Sequence, residues 1–344
     1  MDEQVHEILK GLDRVVVGYK REKEVLLASM IANGHVLLEG VPGIAKTTMV
    51  RAIAKLMGLS WEWEYSYGGL RYRGFSRVQF TPDLLPGDIT GSLIFNPQTR
   101  SFEPHFGPVF TFLLLADEIN RAVPRTQSAL LEAMQERQVT IGNKTYPLEH
   151  RGAGKWFLVV ATQNPVEQEG TYPLPEAQLD RFLTRIIVGY PDTLEDEKNV
   201  LRLHMKGLVE PVERLEQVVE PGWLVKVQED ASLIDVPDRV LELVTRITRA
   251  TRPEIYSPAS KFFELGASPR AGIALLRASK ALSYIRGEDR VSEDSVVDMV
   301  FHVFNHRLIP NMDTVIEYEE KHGRYSAKLE VVREGLKYVL DNLP

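Results

Sequence analysis

The chain contains no cysteine. That excludes disulfides and thiolate metal sites and makes the cytoplasm the default expectation. No apolar run is long enough to cross a bilayer. The opening residues, MDEQVHEILKGLDR, lack the basic start and apolar stretch of a secretory leader, so none is expected. Low-complexity segments and internal repeats are missing too. Nor is positive charge in excess. A net charge of -7 argues against a surface built throughout to grip nucleic acid, though it leaves room for a local basic patch. What remains is an ordinary globular composition, 44% hydrophobic and 26% charged over 344 residues. That length is enough for about two domains with full cores.

The stretch GVPGIAKTT (40–48) nearly fits the phosphate-binding pattern G-x-x-x-x-G-K-[ST]. Gly40 opens it and Lys46 and Thr47 close it, but Ala45 stands where the second glycine belongs. The surroundings are those the pattern needs. HVLLEG (35–40) reads as a buried parallel strand, and KTTMVRAIAKLM (46–57) as a helix through Met49, Ile53, Leu56 and Met57. A loop feeding a helix N-terminus offers free N–H groups to an anion. Gly40, Pro42, Gly43, Ile44, Ala45, Lys46, Thr47 and Thr48 are therefore the candidate cradle. The extra methyl of Ala45 is tolerable at negative φ and fatal only if φ must be positive. The plainer alternative is a generic tight turn.

TFLLLADEIN (111–120) reads as an apolar strand ending in Asp117-Glu118. A carboxylate at a strand's C-terminal edge can hold Mg²⁺ through water, and a second beside it can polarise the attacking water. Alone, the pair reads equally as the acidic start of the helix PRTQSALLEAMQE (124–136); beside the loop the catalytic reading prevails. WFLVVATQNP (156–165) is another buried strand, and Asn164 at its end could hydrogen-bond the γ-phosphate or the attacking water. With RVQFT (77–81) and RIIVGY (185–190), strands alternate with helices, which predicts an α/β fold with a parallel sheet and helices on both faces. Ligands then sit beyond the strands' carboxyl ends, where Lys46, Asp117, Glu118 and Asn164 all fall.

GVPGIAKT, FTPDLLPGDITGS, LLADEINRA, QSALLEAMQERQVTIG, ATQNP, EGTYPLPEAQLDRF and GASPRA follow in this order. Together they resemble the MoxR family of AAA+ ATPases, from about Val15 to Arg307. The resemblance implies an AAA+ αβα core followed by an all-α lid, and a Mg²⁺-dependent ATPase. Ala45 is then no defect, since the family commonly carries alanine there. Lys46 is implied to bind the β- and γ-phosphates, Thr47 and Asp117 to place Mg²⁺, and Glu118 to orient the water. Val17-Gly18 is implied to lie against adenine, Asn164 to be sensor 1, and Arg181 to be an arginine finger reaching a neighbour's ATP. Arg270 is implied to be sensor 2, acting on its own subunit or a neighbour's. Each arginine has a structural ion pair as its alternative, and for Arg121 the local pair is as good a reading. The family also implies a homo-oligomeric ring, a hexamer in relatives, and a protein client remodelled with a von Willebrand factor A domain partner. Competing functions are a nucleic-acid motor, for which no appended module is seen, and an ATP-regulated scaffold without turnover.

The expected organisation is a nucleotide-binding core over 1–192, a helical lid over 193–312 and a helical tail over 313–344. Within the core, 84–110 resembles the clade's helix-2 insert. RQVTIGNKTYPL (137–148) reads independently as a hairpin turning at Gly142-Asn143. In relatives both elements point toward the pore. Lid helices are expected over 194–208, 237–252, 268–287 and 292–308. The third is read by the rhythm Ile273, Leu276, Ala281, Ile285 with Gly287 as its C-cap, and the fourth by Ser292 as its N-cap. His302 and His306 have metal-ligand spacing but no third ligand nearby, so a structural role is expected.

One stretch stands apart from the family. WEWEYSYGGLRYRG (61–74) reads as an inserted hairpin turning at Gly68-Gly69 and pairing Tyr67 with Leu70, Tyr65 with Tyr72 and Glu64 with Arg73. Its aromatic face needs a cover. The plainer reading is packing on its own domain, and the sharper one a partner or subunit patch.

Overall fold

A computed structural model describes residues 3–60, 62–165, 170–205, 209–323 and 326–343. Trp61, the first residue of the motif at 169–182, and the end of the helix expected to 208 lie outside the described residues.

The core opens with helices α1 (Glu3–Asp13) and α2 (Lys20–Ile31), then strand β1 (Val36–Glu39) and helix α3 (Lys46–Leu56). The hairpin β2 (Glu64–Tyr67) and β3 (Leu70–Gln79) follows, then α4 (Pro86–Thr90) and a second hairpin, β4 (Gly91–Asn96) with β5 (Ser101–Phe106). Next come β6 (Thr111–Asp117), α5 (Pro124–Glu136), a third hairpin of β7 (Gln138–Ile141) and β8 (Lys144–Pro147), then β9 (Leu158–Gln163), α6 (Glu176–Leu179) and β10 (Thr184–Ile187). The main sheet has the order β10-β1-β9-β6-β3-β2. Every pair in it is parallel except β2 with β3. β1 and β6 are buried along their whole length, as strands covered on both faces must be, whereas β3 alternates buried and exposed residues near the sheet edge. RVQFT is thus only the end of a longer strand, and the strand read at 185–190 ends at Ile187.

The aromatic hairpin has the expected register: Glu64 pairs with Arg73, Tyr65 with Tyr72 and Tyr67 with Leu70. Gly68 and Gly69 turn it with φ of 59° and 79°, values a side chain resists. Its cover is its own domain. Trp63 and Tyr65 meet Phe112 edge-on with ring centroids 5.2 and 5.6 Å away, and the Tyr65 hydroxyl donates to the Ala153 carbonyl at 2.6 Å. Tyr72 is fully buried. Burial pushes its hydroxyl pKa up to about 12, and that hydroxyl donates to Pro147 O at 2.8 Å. The buried Lys155 ammonium lies 4.6 Å from the ring centres of both Tyr72 and Phe112 and donates to the carbonyls of Thr111, Leu148 and Trp156. The plainer reading holds. Trp63→Ala with Tyr65→Ala is therefore expected to lower stability by about 2–4 kcal/mol in thermal melts and to leave molar mass unchanged. A loss of assembly without a loss of melting temperature would restore the interface reading.

The two elements with pore-facing counterparts touch each other: the Phe106 and Tyr146 rings pack 5.1 Å apart. Beyond that contact the β4–β5 hairpin presents Ile94, Phe95 and Phe102 to solvent.

After the sheet come α7 (Leu194–His204), α8 (Trp223–Ser232), α9 (Asp238–Ala250), the short strand β11 (Phe263–Leu265), α10 (Pro269–Arg286), α11 (Glu293–Phe304), β12 (Ile309–Pro310), α12 (Met312–His322) and α13 (Ala327–Asp341). Ser292 caps α11 by accepting from Ser295 N, and Gly287 ends α10 in the left-handed region. The buried face of α10 agrees with the expected rhythm at Ala281 and Ile285 and departs from it at Ile273, which is 61% exposed, and at half-buried Leu276. Ala271, Ala274, Leu275 and Ala278 are the buried residues of the first turns, where small side chains let α2 and α11 approach closely. The expected tail is two helices. α13 buries Val331, Val332, Leu336 and Val339 and packs on α9 and α11, which builds it into the lid.

His302 and His306 are buried, and His306 lies beyond the end of α11. Among the described residues no group of three or more His, Cys, Asp or Glu could hold a metal. Burial lowers the His302 pKa to about 4 and holds His35 and His306 well below the usual imidazole value. His35 has a local reason as well: its Nδ1 accepts from Val159 N at 3.0 Å, leaving no lone pair there for a proton, and Nε2 donates to Met134 O at 3.0 Å. The folded state thus resists protonation while the unfolded chain accepts it below about pH 6.5, so stability is full above that pH and falls as pH drops. Between pH 7.5 and 5.5 the three imidazoles together are expected to remove about 4 kcal/mol, read as a falling urea midpoint. A flat midpoint over that interval would rule out neutral buried imidazoles.

Candidate nucleotide site

The loop between β1 and α3 curls because of its glycines. A side chain at Gly40 would run into the Val188 carbonyl, and Gly43 sits at φ +82°. Ala45 sits at φ +58°, so the condition set for tolerating its methyl, a negative φ, is not met. The left-handed conformation costs an alanine about 1–2 kcal/mol, which the surrounding fold absorbs. Lys46 folds back over the loop and donates to the carbonyls of Gly40, Val41 and Gln163. Burial lowers its pKa, opposed by the carboxylates of Asp117, Glu118 and Glu39.

Parallel pairing brings the ends of β1, β3, β6 and β9 to one edge. There a cavity of about 320 Å³ is lined by Pro42 to Thr48 and by Asp117, Glu118 and Asn164. Thr47 Oγ1 stands 3.4 Å from Asp117 Oδ2, and the Thr162 hydroxyl donates to Asp117 Oδ1 at 2.6 Å while accepting from Glu118 N at 2.9 Å. The expected loop, carboxylates and Asn164 therefore share one space.

Two side chains that sequence reasoning passed over complete it. Arg77 reaches Asp117 Oδ2 through Nε at 3.1 Å and Nη2 at 2.6 Å, and Gln79 donates to Glu118 Oε2 at 2.6 Å. Both lie on RVQFT, two residues apart and so on one side of a strand, which is the signal that could have found them. Arg121, the weaker candidate, pairs locally with Glu118 Oε2 at 2.9 Å.

An adjoining cavity of about 390 Å³ shares Pro42 to Ala45 and Thr48 with the first and is walled by Val15, Val16, Val17, Tyr19, Tyr190 and Leu201. Its largely apolar walls suit a flat heterocycle. Val17 lines it and Gly18 does not. Gly18, at φ +74°, turns the chain toward Tyr19, whose hydroxyl donates to Gly189 O at 3.1 Å.

Arg181 and Arg270 line neither cavity. Arg270 is bound instead at Asp180, the residue before Arg181. Arg270 Nη1 lies 3.2 Å from Asp180 Oδ2, and the buried Arg307 holds Asp180 Oδ1 at 2.7 Å. Arg270 is mostly exposed beyond that ion pair. Half-buried Arg181, next in the chain, makes no side-chain hydrogen bond or ion pair among the described residues.

Residues 35–184 match the family model described as "ATPase family associated with various cellular activities (AAA)", and residues 257–321 match "AAA lid domain". Chaperone MoxR1 of Mycobacterium tuberculosis is 40% identical over 91% of this chain and 78% of its own length. The uncharacterized protein YeaC of Bacillus subtilis is 41% identical over 92% of this chain and 91% of its own. Protein MoxR of Methylorubrum extorquens is 29% identical over 97% and 93%. A crystal structure of a protein from Cytophaga hutchinsonii assigned as an ATPase superposes with a TM-score of 0.78 at 37% identity, covering 96% of this chain and 94% of that one.

Proposed function

The chain belongs to the MoxR family of AAA+ ATPases and hydrolyses ATP, and from that premise we propose a Mg²⁺-dependent, ring-forming machine that remodels a protein client. The reading rests above all on one observation: the loop, the carboxylates and Asn164 share a cavity, while neither Arg181 nor Arg270 lines it. A site that lacks its arginines is completed by a neighbour, and a head-to-tail interface of that kind closes into a ring. Arg270 then acts with Arg181 on the neighbour's nucleotide rather than on its own. A hexamer and a von Willebrand factor A domain partner are the family's pattern and belong to the same proposal. Among the described residues no helix is long and apolar enough to cross a membrane.

In this reading the apolar cavity at Val17 takes adenine and the loop N–H groups take the phosphates. Lys46 exchanges its carbonyl partners for the β- and γ-phosphates. Thr47 and Asp117 are hard oxygen donors, the kind Mg²⁺ prefers, and would hold it. The metal's part is to screen phosphate charge. Glu118 and Asn164 orient the attacking water, and a neighbour's Arg181 stabilises charge on the transferred group. The exposed Ile94, Phe95 and Phe102 of the β4–β5 hairpin offer an apolar grip for an unfolded client.

Steady-state hydrolysis measured against protein concentration tests the shared site. Specific activity that rises and then levels supports it. Flat specific activity from a species of monomeric mass ends the ring proposal.

A further inference from the structure

Resting on the reading of Thr47 and Asp117 as the metal side of the site, we propose that Arg77 is the resident counter-cation of Asp117 and that an entering divalent metal displaces it. Both oxygens of Asp117 are already committed. Oδ1 accepts from Thr162 at 2.6 Å, and Oδ2 accepts two N–H groups of Arg77, at 3.1 and 2.6 Å. The oxygen that faces Thr47 Oγ1 at 3.4 Å is that same Oδ2. A metal on Thr47 that Asp117 holds, directly or through water, therefore competes for the oxygen Arg77 occupies. A guanidinium and a divalent cation on one carboxylate oxygen repel each other, and the oxygen lacks the lone pairs to serve both at full strength.

Exposure and anchoring decide which group yields. The Asp117 side chain is 9% exposed, sits at the end of a fully buried strand and is tied to Thr162. The Arg77 side chain is 49% exposed, and its one other hydrogen bond among the described residues is a 3.3 Å contact with Gln79 Oε1. Arg77 also lines a neighbouring cavity that Trp63 and Phe75 border, so the released guanidinium has both water and aromatic faces to meet. Without metal the arginine spares Asp117 from standing as a nearly buried, uncompensated charge. The same contact sets metal affinity below what Thr47 and Asp117 alone would give.

The probe is Mn²⁺ at saturating ADP, with free Mn²⁺ counted by electron paramagnetic resonance. Arg77→Gln is expected to bind Mn²⁺ about 3- to 30-fold more tightly than the wild type. Without metal it should melt below the wild type, and Mn²⁺ with ADP should narrow that gap. Affinity that is unchanged or weaker in Arg77→Gln would mean that the guanidinium orients Asp117 for the metal, and the proposal falls. Should Arg77→Gln not fold, Arg77→Lys keeps the charge without the fork. A smaller gain in affinity is expected there, and no gain is equally fatal. Thr47→Ala separates the two layers. If it binds Mn²⁺ as well as the wild type, the metal-site reading itself is wrong. If it loses Mn²⁺ and Arg77→Gln gains none, only the displacement is wrong.

Discussion

Glu118→Gln is expected to keep ATP bound and to lower turnover by about 100-fold or more. The substitution removes a charge and almost no volume. Its backbone N–H keeps the Thr162 hydroxyl, and a glutamine carbonyl can still accept from Gln79 or Arg121. The local fold and the left-handed backbone at φ +57° are thus preserved. What disappears is the anionic oxygen able to draw a proton from water. Asp117, one residue earlier, cannot replace it, because Thr162 holds one of its oxygens and the other faces Thr47 on the metal side of the site. The measurement pairs equilibrium binding of a fluorescent ATP analogue with phosphate release. Binding within a few-fold of wild type together with near-complete loss of release fits the assignment. Release near the wild-type rate would move the role to another group, and loss of binding would make Glu118 structural.

The parts of this site legible in the sequence were those written in a single segment. The loop at 40–48, the carboxylates after TFLLLA and the polar end of WFLVVATQN each announce themselves through an apolar strand and the residues that end it. Strand–helix alternation then puts those ends on one edge. The aromatic hairpin was legible to the residue pair because two adjacent glycines fix the turn, and the turn fixes the register. Features that depend on which strand lies beside which were not legible. Arg77 and Gln79 matter because β3 neighbours β6, an order no local pattern encodes. The apolar cavity joins Val17 to Tyr190 and Leu201, positions far apart in the chain that only the tertiary fold brings together. The first turns of α10, at Ile273 and Leu276, were misread for a different reason. Close helix packing selects alanine, and alanine carries little weight in a reading led by large side chains. Backbone strain at Ala45 was beyond reach too, since a residue's name does not give its φ.

Arg181→Ala is expected to fold, to bind ATP, and to lose about 10³-fold in turnover. A loss alone is weak evidence, because any damaged surface lowers activity. Mixing makes the claim specific. Lys46→Ala carries an intact Arg181 and a dead loop, whereas Arg181→Ala carries the reverse. Each is expected to be nearly inactive by itself. Equal amounts combined at random place an intact loop beside an intact arginine at about one interface in four, so roughly a quarter of wild-type activity should return. No recovery is expected if Arg181 serves its own subunit, since no protomer in the mixture has both groups. Arg270→Ala in place of Arg181→Ala asks the same of the second arginine, and Asp180 predicts the answer. Its carboxylate anchors Arg270 at 3.2 Å immediately before Arg181 in the chain. Asp180 thus ties Arg270 to the chain segment that carries Arg181, and complementation by one should be matched by the other. Recovery for Arg181 alone would confine Arg270 to its ion pair with Asp180.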